Sequence, residues 1–128
     1  MSSETVSYAG RFRNGFRHGQ GELKWRNGNV YTGEFTDNLI HGYGTKVYAD
    51  GRIYEGNWEE GQRAGFGKLT LTDGSQYIGQ YRDNQKHDET GSALFIKSNG
   101  SRWFVKYTNG KLTESARISL SDWAVKEN

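Results

Sequence analysis

At 128 residues, 33% hydrophobic and 14% aromatic, the chain has the length of one small domain with a thin, ring-rich core, and its lack of cysteine excludes disulfides, thiolate zinc sites and cysteine nucleophiles. A formal charge of +2 is too small to mark a nucleic-acid binder, and no run approaches the ~20 apolar residues that cross a bilayer as a helix. Eighteen glycines and a mean hydropathy of -0.93 would suit a disordered chain, but the aromatics recur too regularly for one, so a folded, soluble, intracellular protein is expected.

Taken in chain order, the sequence is a repeat with a period of 23 residues. The first unit opens with Tyr8, Gly10 and Phe12, turns at Gly15, passes Gly19 and Gly21, continues through Leu23 and Trp25, and turns again at Asn27 and Gly28. The second repeats this with Tyr31, Gly33, Phe35, Asn38, Gly42, Gly44, Lys46, Tyr48 and Asp50-Gly51. The third has Tyr54, Gly56, Trp58, Gly61, Gly65, Gly67, Leu69, Leu71 and Asp73-Gly74. A fourth begins with Tyr77, Gly79, Tyr81 and Asn84, then departs: Asp88 and Thr90 stand where Gly-x-Gly is expected, with Gly91 one residue late. A degenerate fifth, Trp103, Val105, Tyr107 and Gly110, follows Tyr77 by 26 residues rather than 23.

Each unit reads as two short strands. Gly or Asn seven residues after the tyrosine suits the positive φ of a tight turn, and Asn-Gly or Asp-Gly between alternating segments is a hairpin signal. Every connection is therefore a hairpin within one domain spanning 1–128. Residues 86–128 read as a departing cap, with 111–128 its terminal part. A short capping helix over 121–126, opened by Ser121 or Asp122, is the favoured reading of the tail, and a final strand from the alternation of Ile118 and Leu120 is the alternative.

Side chains alternate along a strand, so Tyr, Gly and aromatic at every second position share one face, joined by Leu23, Trp25, Lys46, Tyr48, Leu69 and Leu71. Glycine leaves room there for rings to lie across bare backbone. The opposite face, with Arg11, Arg13, Thr32, Glu34, Thr36, Glu55, Asn57 and Glu59, is polar, interrupted by Tyr43, Val47, Phe66 and Ile78.

Tyr-x-Gly-x-Trp/Phe, Gly seven residues on and then Gly-x-Gly resembles the MORN (membrane occupation and recognition nexus) repeat, over about residues 8–110. The resemblance implies an all-β, elongated, twisted single-layer antiparallel sheet of tandem hairpins, and small MORN-only proteins of this kind are scaffold pieces in cilia, flagella and cytoskeletal assemblies. The expectation is thus a non-catalytic adaptor, cytoplasmic or cytoskeletal, that docks partner proteins of a multi-subunit assembly. Its candidate contacts are the groove residues Tyr8, Phe12, Trp25, Tyr31, Phe35, Tyr48, Tyr54, Trp58, Tyr77 and Tyr81, most of which also read as plain core. The alternative is peripheral phospholipid binding through a basic first repeat, Arg11, Arg13, Arg17, Lys24 and Arg26, opposed by the net charge of -4 over residues 29–61.

Signals for chemistry are weak. His18, His41 and His87 each lie ten residues after a repeat tyrosine, which makes them structural groups that bond a local turn rather than ligands of one metal. The glycine pairs lack the Gly-Lys-Ser/Thr of a phosphate loop, and the adjacent carboxylates Glu59-Glu60 and Asp88-Glu89 fall beside turns, where exposure is expected. No enzyme, cofactor, metal or nucleic acid is expected.

Overall fold

The computed structural model describes residues 4–119. Among these, eleven strands form a single sheet: β1 (Thr5–Arg13), β2 (Phe16–Trp25), β3 (Val30–Thr36), β4 (Leu39–Val47), β5 (Ile53–Glu59), β6 (Gln62–Thr70), β7 (Gln76–Arg82), β8 (Gln85–Lys86), β9 (Asp88–Ile96), β10 (Arg102–Thr108) and β11 (Lys111–Ile118). Neighbours in sequence are neighbours in the sheet, in the order β1-β2-β3-β4-β5-β6-β7-β9-β10-β11, with the short β8 beside β7, and all pairs are antiparallel. Residues 86–118, expected to depart as a cap, instead extend the sheet: β9, β10 and β11 continue it as further hairpins. The capping helix over 121–126 lies outside the described residues.

Two kinds of turn alternate. The turn within each repeat carries two successive left-handed residues, Asn14-Gly15, Asp37-Asn38, Glu60-Gly61, Asp83-Asn84 and Asn109-Gly110, the signature of a type I′ hairpin. The turn between repeats is a three-residue loop. In the first, Gly28 N–H donates to the Trp25 carbonyl at 3.0 Å and Trp25 N–H to the Asn29 carbonyl at 3.0 Å, with Gly28 at φ 100° and the Asn27 side chain capping the Asn29 amide. Asp50, Asp73 and Asn99 repeat that cap.

The core is the aromatic face itself. Each repeat tyrosine lies along its own strand and donates its hydroxyl three residues on: Tyr8 to Arg11, Tyr31 to Glu34, Tyr54 to Asn57 and Tyr77 to Gln80, each to the carbonyl at 2.7–3.0 Å. Glycines opposite each other in register, such as Gly33 and Gly44 or Gly56 and Gly67, floor that ring; a Cβ on any of them would come within 3.0 Å of the phenol. The rings then meet edge to face in one unbroken chain: Phe12, Tyr8, Phe35, Tyr31, Trp58, Tyr54, Tyr81, Tyr77 and Tyr107, with centroids 5.1–5.6 Å apart. Such a pair contributes about 0.5–1.5 kcal/mol beyond its burial, so the chain of rings couples every repeat to the next without a second layer.

Backbone stitching adds to that coupling. The second turn residue of each repeat donates its N–H to a carbonyl in the repeat before: Asn38 to Arg17, Gly61 to Ile40, Asn84 to Arg63 and Gly110 to Lys86, at 2.8–2.9 Å. His41 Nδ1 accepts from Glu60 N–H at 3.2 Å and His87 Nδ1 from Asn109 N–H at 3.1 Å. The histidines thus bond turns as expected, though the turn belongs to the following repeat. His18 Nδ1, in contrast, is buried without a hydrogen-bond partner.

The break in period has a local cause. In the first three repeats a bulge on the second strand holds a left-handed glycine, Gly19, Gly42 or Gly65, two residues before the flooring glycine. In the fourth, Gly91 at φ 85° takes that role and Ala93 the next, so three residues have been inserted after His87 and absorbed in the bulge. Asp88 and Thr90 therefore do not replace Gly-x-Gly, whose counterpart is Gly91 and Ala93. Nor is Asp88 an exposed turn carboxylate: it is buried, accepting from Gln80 N–H at 3.1 Å, Thr90 N–H at 3.1 Å and Thr90 Oγ1–H at 2.6 Å.

Candidate docking face

Burial sorts the ten groove residues. Tyr31, Phe35, Tyr54, Trp58, Tyr77 and Tyr81 are buried and hold the sheet together. Tyr8, Trp25 and Tyr48 are half-buried, and Phe12 is 64% exposed at the β1 end of the ring chain. Among the described residues the reachable apolar surface of the aromatic face includes these four rings, the half-buried Leu71, and a cavity of about 250 Å3 at the other end, between Phe95, Trp103, Val105, Tyr107 and Leu112.

Register distributes charge unevenly. Residues opposite each other across two strands point to the same side. Arg17 faces Phe12, Lys46 faces Tyr31, Arg63 faces Trp58, Lys86 faces Tyr81 and Arg117 faces Trp103, which puts all five cations on the aromatic face. The acids of the strands, Asp88 excepted, fall elsewhere. Glu22, Glu34, Glu55, Glu59 and Glu114 pair with polar-face residues and Glu89 accepts from Thr108 Oγ1–H, while Asp88 stands opposite Tyr107 at the bulge, buried and bonded to Gln80 N–H and Thr90.

The cations lie down over the rings. Arg17 stands 5.8 Å from the centre of Tyr8 and 5.7 Å from Phe35, Arg63 5.8 Å from Tyr54 and 5.1 Å from Tyr81, and Lys86 5.1 Å from Tyr77 and 4.9 Å from Tyr107. Lys46 sits between Trp25 at 4.5 Å and Tyr48 at 5.1 Å. These are cation–π distances, attractive by roughly 0.5–2 kcal/mol according to how dry the pair is. Burial holds the Lys46 and Lys86 ammonium groups below the ordinary lysine range, and the field of Arg63 pushes both further down.

Neutral acceptors position the two guanidinium groups nearest the ring chain. Arg17 Nη2 donates to the Asn38 carbonyl at 2.9 Å; Arg63 Nη2 donates to the Asn84 carbonyl at 2.8 Å and its Nε to Asn84 Oδ1 at 2.9 Å. Arg17 Nε is buried with no hydrogen-bond partner. Arg63 and Lys86 did not stand out in the sequence, although the position nine residues after each repeat aromatic, Arg17, Ile40, Arg63, Lys86 and Leu112, carries a cation in three repeats of five.

The basic first repeat is dispersed. Arg11, Arg13 and Lys24 are on the polar face, Arg17 is on the aromatic one, Arg13 lies 3.9 Å from Asp37, and Arg26 pairs with Glu4 at 2.8 Å. On the polar face Phe66 and Ile78 meet beside Leu94 around a shallow depression, while Tyr43 and Val47 stand apart on β4. No group of three or more His, Cys, Asp or Glu suited to a metal occurs among the described residues.

A comparison with curated proteins finds no match. A model of the MORN repeat matches residues 8–30, 31–51, 54–76 and 77–87. Those spans carry the four repeat tyrosines, three laid across paired glycines and Tyr77 over Gly79 and Ala93, with rings that join edge to face, and on both grounds the chain belongs to the MORN-repeat family.

Proposed function

We propose that this protein is a non-catalytic structural adaptor that docks a segment of a partner protein on its aromatic face, as one piece of a larger cytoplasmic assembly of cytoskeletal, ciliary or flagellar kind. MORN repeats mediate contacts with proteins or membrane lipids. The observation that carries the protein reading is the face itself: a continuous chain of edge-to-face rings across the sheet, with Tyr8, Phe12, Trp25 and Tyr48 still reachable at its margin. Half-exposed rings on a pre-formed surface are the anchors that protein interfaces favour, because they bury much area at little entropic cost.

The alternative, peripheral attachment to phospholipid by the first repeat, has less support. Of its five cations two are ion-paired and one faces the other side, which leaves Arg11 and Lys24 at about 1 kcal/mol each on an anionic surface. Affinity purification of the tagged protein at physiological and at high salt, with bound proteins identified and bound lipid assayed together, tests the two readings. A stable protein set retained at high salt supports an apolar docking face. Lipid retained only at low salt, with no protein set, overturns it.

A further inference from the structure

The face proposed above for docking carries rings and cations and, at its strand positions among the described residues, a single acid, Asp88 opposite Tyr107, which is buried and spent on bonds from Gln80 and Thr90. We infer that the partner segment it receives is acidic, with carboxylates seated on Arg17, Lys46, Arg63 and Lys86. This inference rests on the docking reading and specifies its partner.

Three observations carry it. The segregation is one-sided: the polar face mixes both signs and pairs many of them, as in Lys68 with Glu55 at 3.5 Å and Lys106 with Glu114 at 2.9 Å, whereas none of these four cations has a carboxylate partner among the described residues. Their charged heads are half-buried over rings, so a carboxylate that meets them does so in a partly dry setting, where a charge-assisted bond is stronger than at an open surface. Their acceptors within the chain are neutral carbonyl and amide oxygens, which orient Arg17 and Arg63 without cancelling their charge and leave Arg17 Nε unpartnered.

The same geometry weighs against other occupants. Heads folded onto the sheet do not project to a bilayer plane, and two copies joined by this face would bring cation against cation. Arg63 on β6 and Lys86 on β8 are two strand spacings apart, about 10 Å, and a polyproline-II-like chain rises about 3.1 Å per residue with three residues per turn, so acids at every third position of a linear segment share one side about 9 Å apart and match the pair.

The test uses the full chain and two labelled synthetic peptides, one with glutamate at every third position among leucine and serine, the other with lysine in place of glutamate, followed by fluorescence anisotropy over a salt series. Vesicles of phosphatidylserine in phosphatidylcholine serve as the competing probe. The native protein is expected to bind the glutamate peptide at least about tenfold more tightly than the lysine peptide, with the preference shrinking as salt rises. Arg63→Gln with Lys86→Gln should reduce glutamate-peptide affinity by about tenfold, while Arg82→Gln with Lys111→Gln on the polar face should leave it within twofold. Circular dichroism checks that each variant folds, and the peptide preference of the native chain decides the matter if one does not. Equal affinity for the two peptides, equal loss in both variants, or vesicle binding in place of peptide binding overturns the inference. A partner protein captured in the purification above and retained by the Arg63→Gln, Lys86→Gln variant would overturn the acidic segment while leaving the docking reading intact.

Discussion

Arg63 and Asn84 close a joint between the third and fourth repeats: the guanidinium donates through Nε to the Asn84 side chain at 2.9 Å and through Nη2 to the Asn84 carbonyl at 2.8 Å. Arg17 and Asn38 make the related joint between the first and second repeats. At the intervening joint the same positions hold Ile40 and Gly61, and the turn keeps only its backbone bond at 2.8 Å. Arginine and asparagine therefore belong together. Arg63→Ile alone should cost about 1 kcal/mol, because it removes both guanidinium bonds to Asn84 and leaves the Asn84 side chain only the backbone N–H of residue 63 at 3.2 Å. Adding Asn84→Gly, which suits the φ of 70° and copies the second joint, should recover most of that loss. A double-mutant cycle in urea reads the coupling; additive losses would mean the two residues act independently.

Two glycines of the third repeat should respond very differently to alanine. At Gly67 a Cβ would collide with the ring and hydroxyl of Tyr54, which is fully buried and pinned by its bond to the Asn57 carbonyl, so neither partner gives way. Gly67→Ala is expected to cost about 3 kcal/mol. At Gly61 the Cβ meets nothing within 4 Å, and only the φ of 85° resists it, for about 1 kcal/mol. Thermal melts of the two variants should separate by several degrees, with Gly67→Ala the lower.

That contrast also shows what was legible in the sequence. Tyr54, Gly56 and Trp58 recur at fixed offsets because each repeat solves the same packing problem, so ring, floor and turn could be read by counting. The Arg63 to Asn84 joint could not: its members lie 21 residues apart in different units, and its alternation with Ile40 and Gly61 doubles the period. The fourth unit was misread for a related reason. The ordinary bulge adds two residues, which preserves the alternation of faces, but three more after His87 reverse it, so counting by twos assigns Asp88 and Thr90 the places of Gly91 and Ala93. Charge segregation was equally hidden, since Arg63 and Lys86 take their meaning from the cross-strand partners Trp58 and Tyr81.

Tyr81 is the exception among the buried tyrosines, because its hydroxyl has no hydrogen-bond partner while its ring sits between Tyr54 and Tyr77. The equivalent positions hold Phe12, Phe35 and Trp58, and the Trp58 indole N–H does donate, to the Gly44 carbonyl at 3.2 Å. Tyr81→Phe should be neutral or stabilising by up to about 1 kcal/mol, since it removes a desolvated polar group without opening a cavity. Tyr31→Phe, which forfeits the bond to the Glu34 carbonyl, should cost about 1 kcal/mol. Urea midpoints of the two variants should move in opposite directions or differ by that amount; equal shifts would show that the Tyr81 hydroxyl is satisfied in solution.

The same ring chain fixes how the fold fails in base. Burial raises the phenol of Tyr81 to about 12 and pushes those of Tyr31, Tyr54 and Tyr77 up further, in each case because the phenolate would be desolvated among other rings. An unfolded tyrosine ionises near pH 10, so the folded state binds more protons than the unfolded one above that point. The stabilisation is therefore complete below about pH 10 and is lost progressively as pH rises through the folded values. Unfolding should set in cooperatively above pH 10, and the phenolate absorbance of the four buried tyrosines should rise in the same step as loss of sheet circular dichroism. In Tyr81→Phe that step should contain one phenolate fewer. If the buried tyrosines ionised in a gradual titration with the sheet intact, the edge-to-face chain would have to be open enough for water to reach it, and its role as the core that joins repeat to repeat would be refuted.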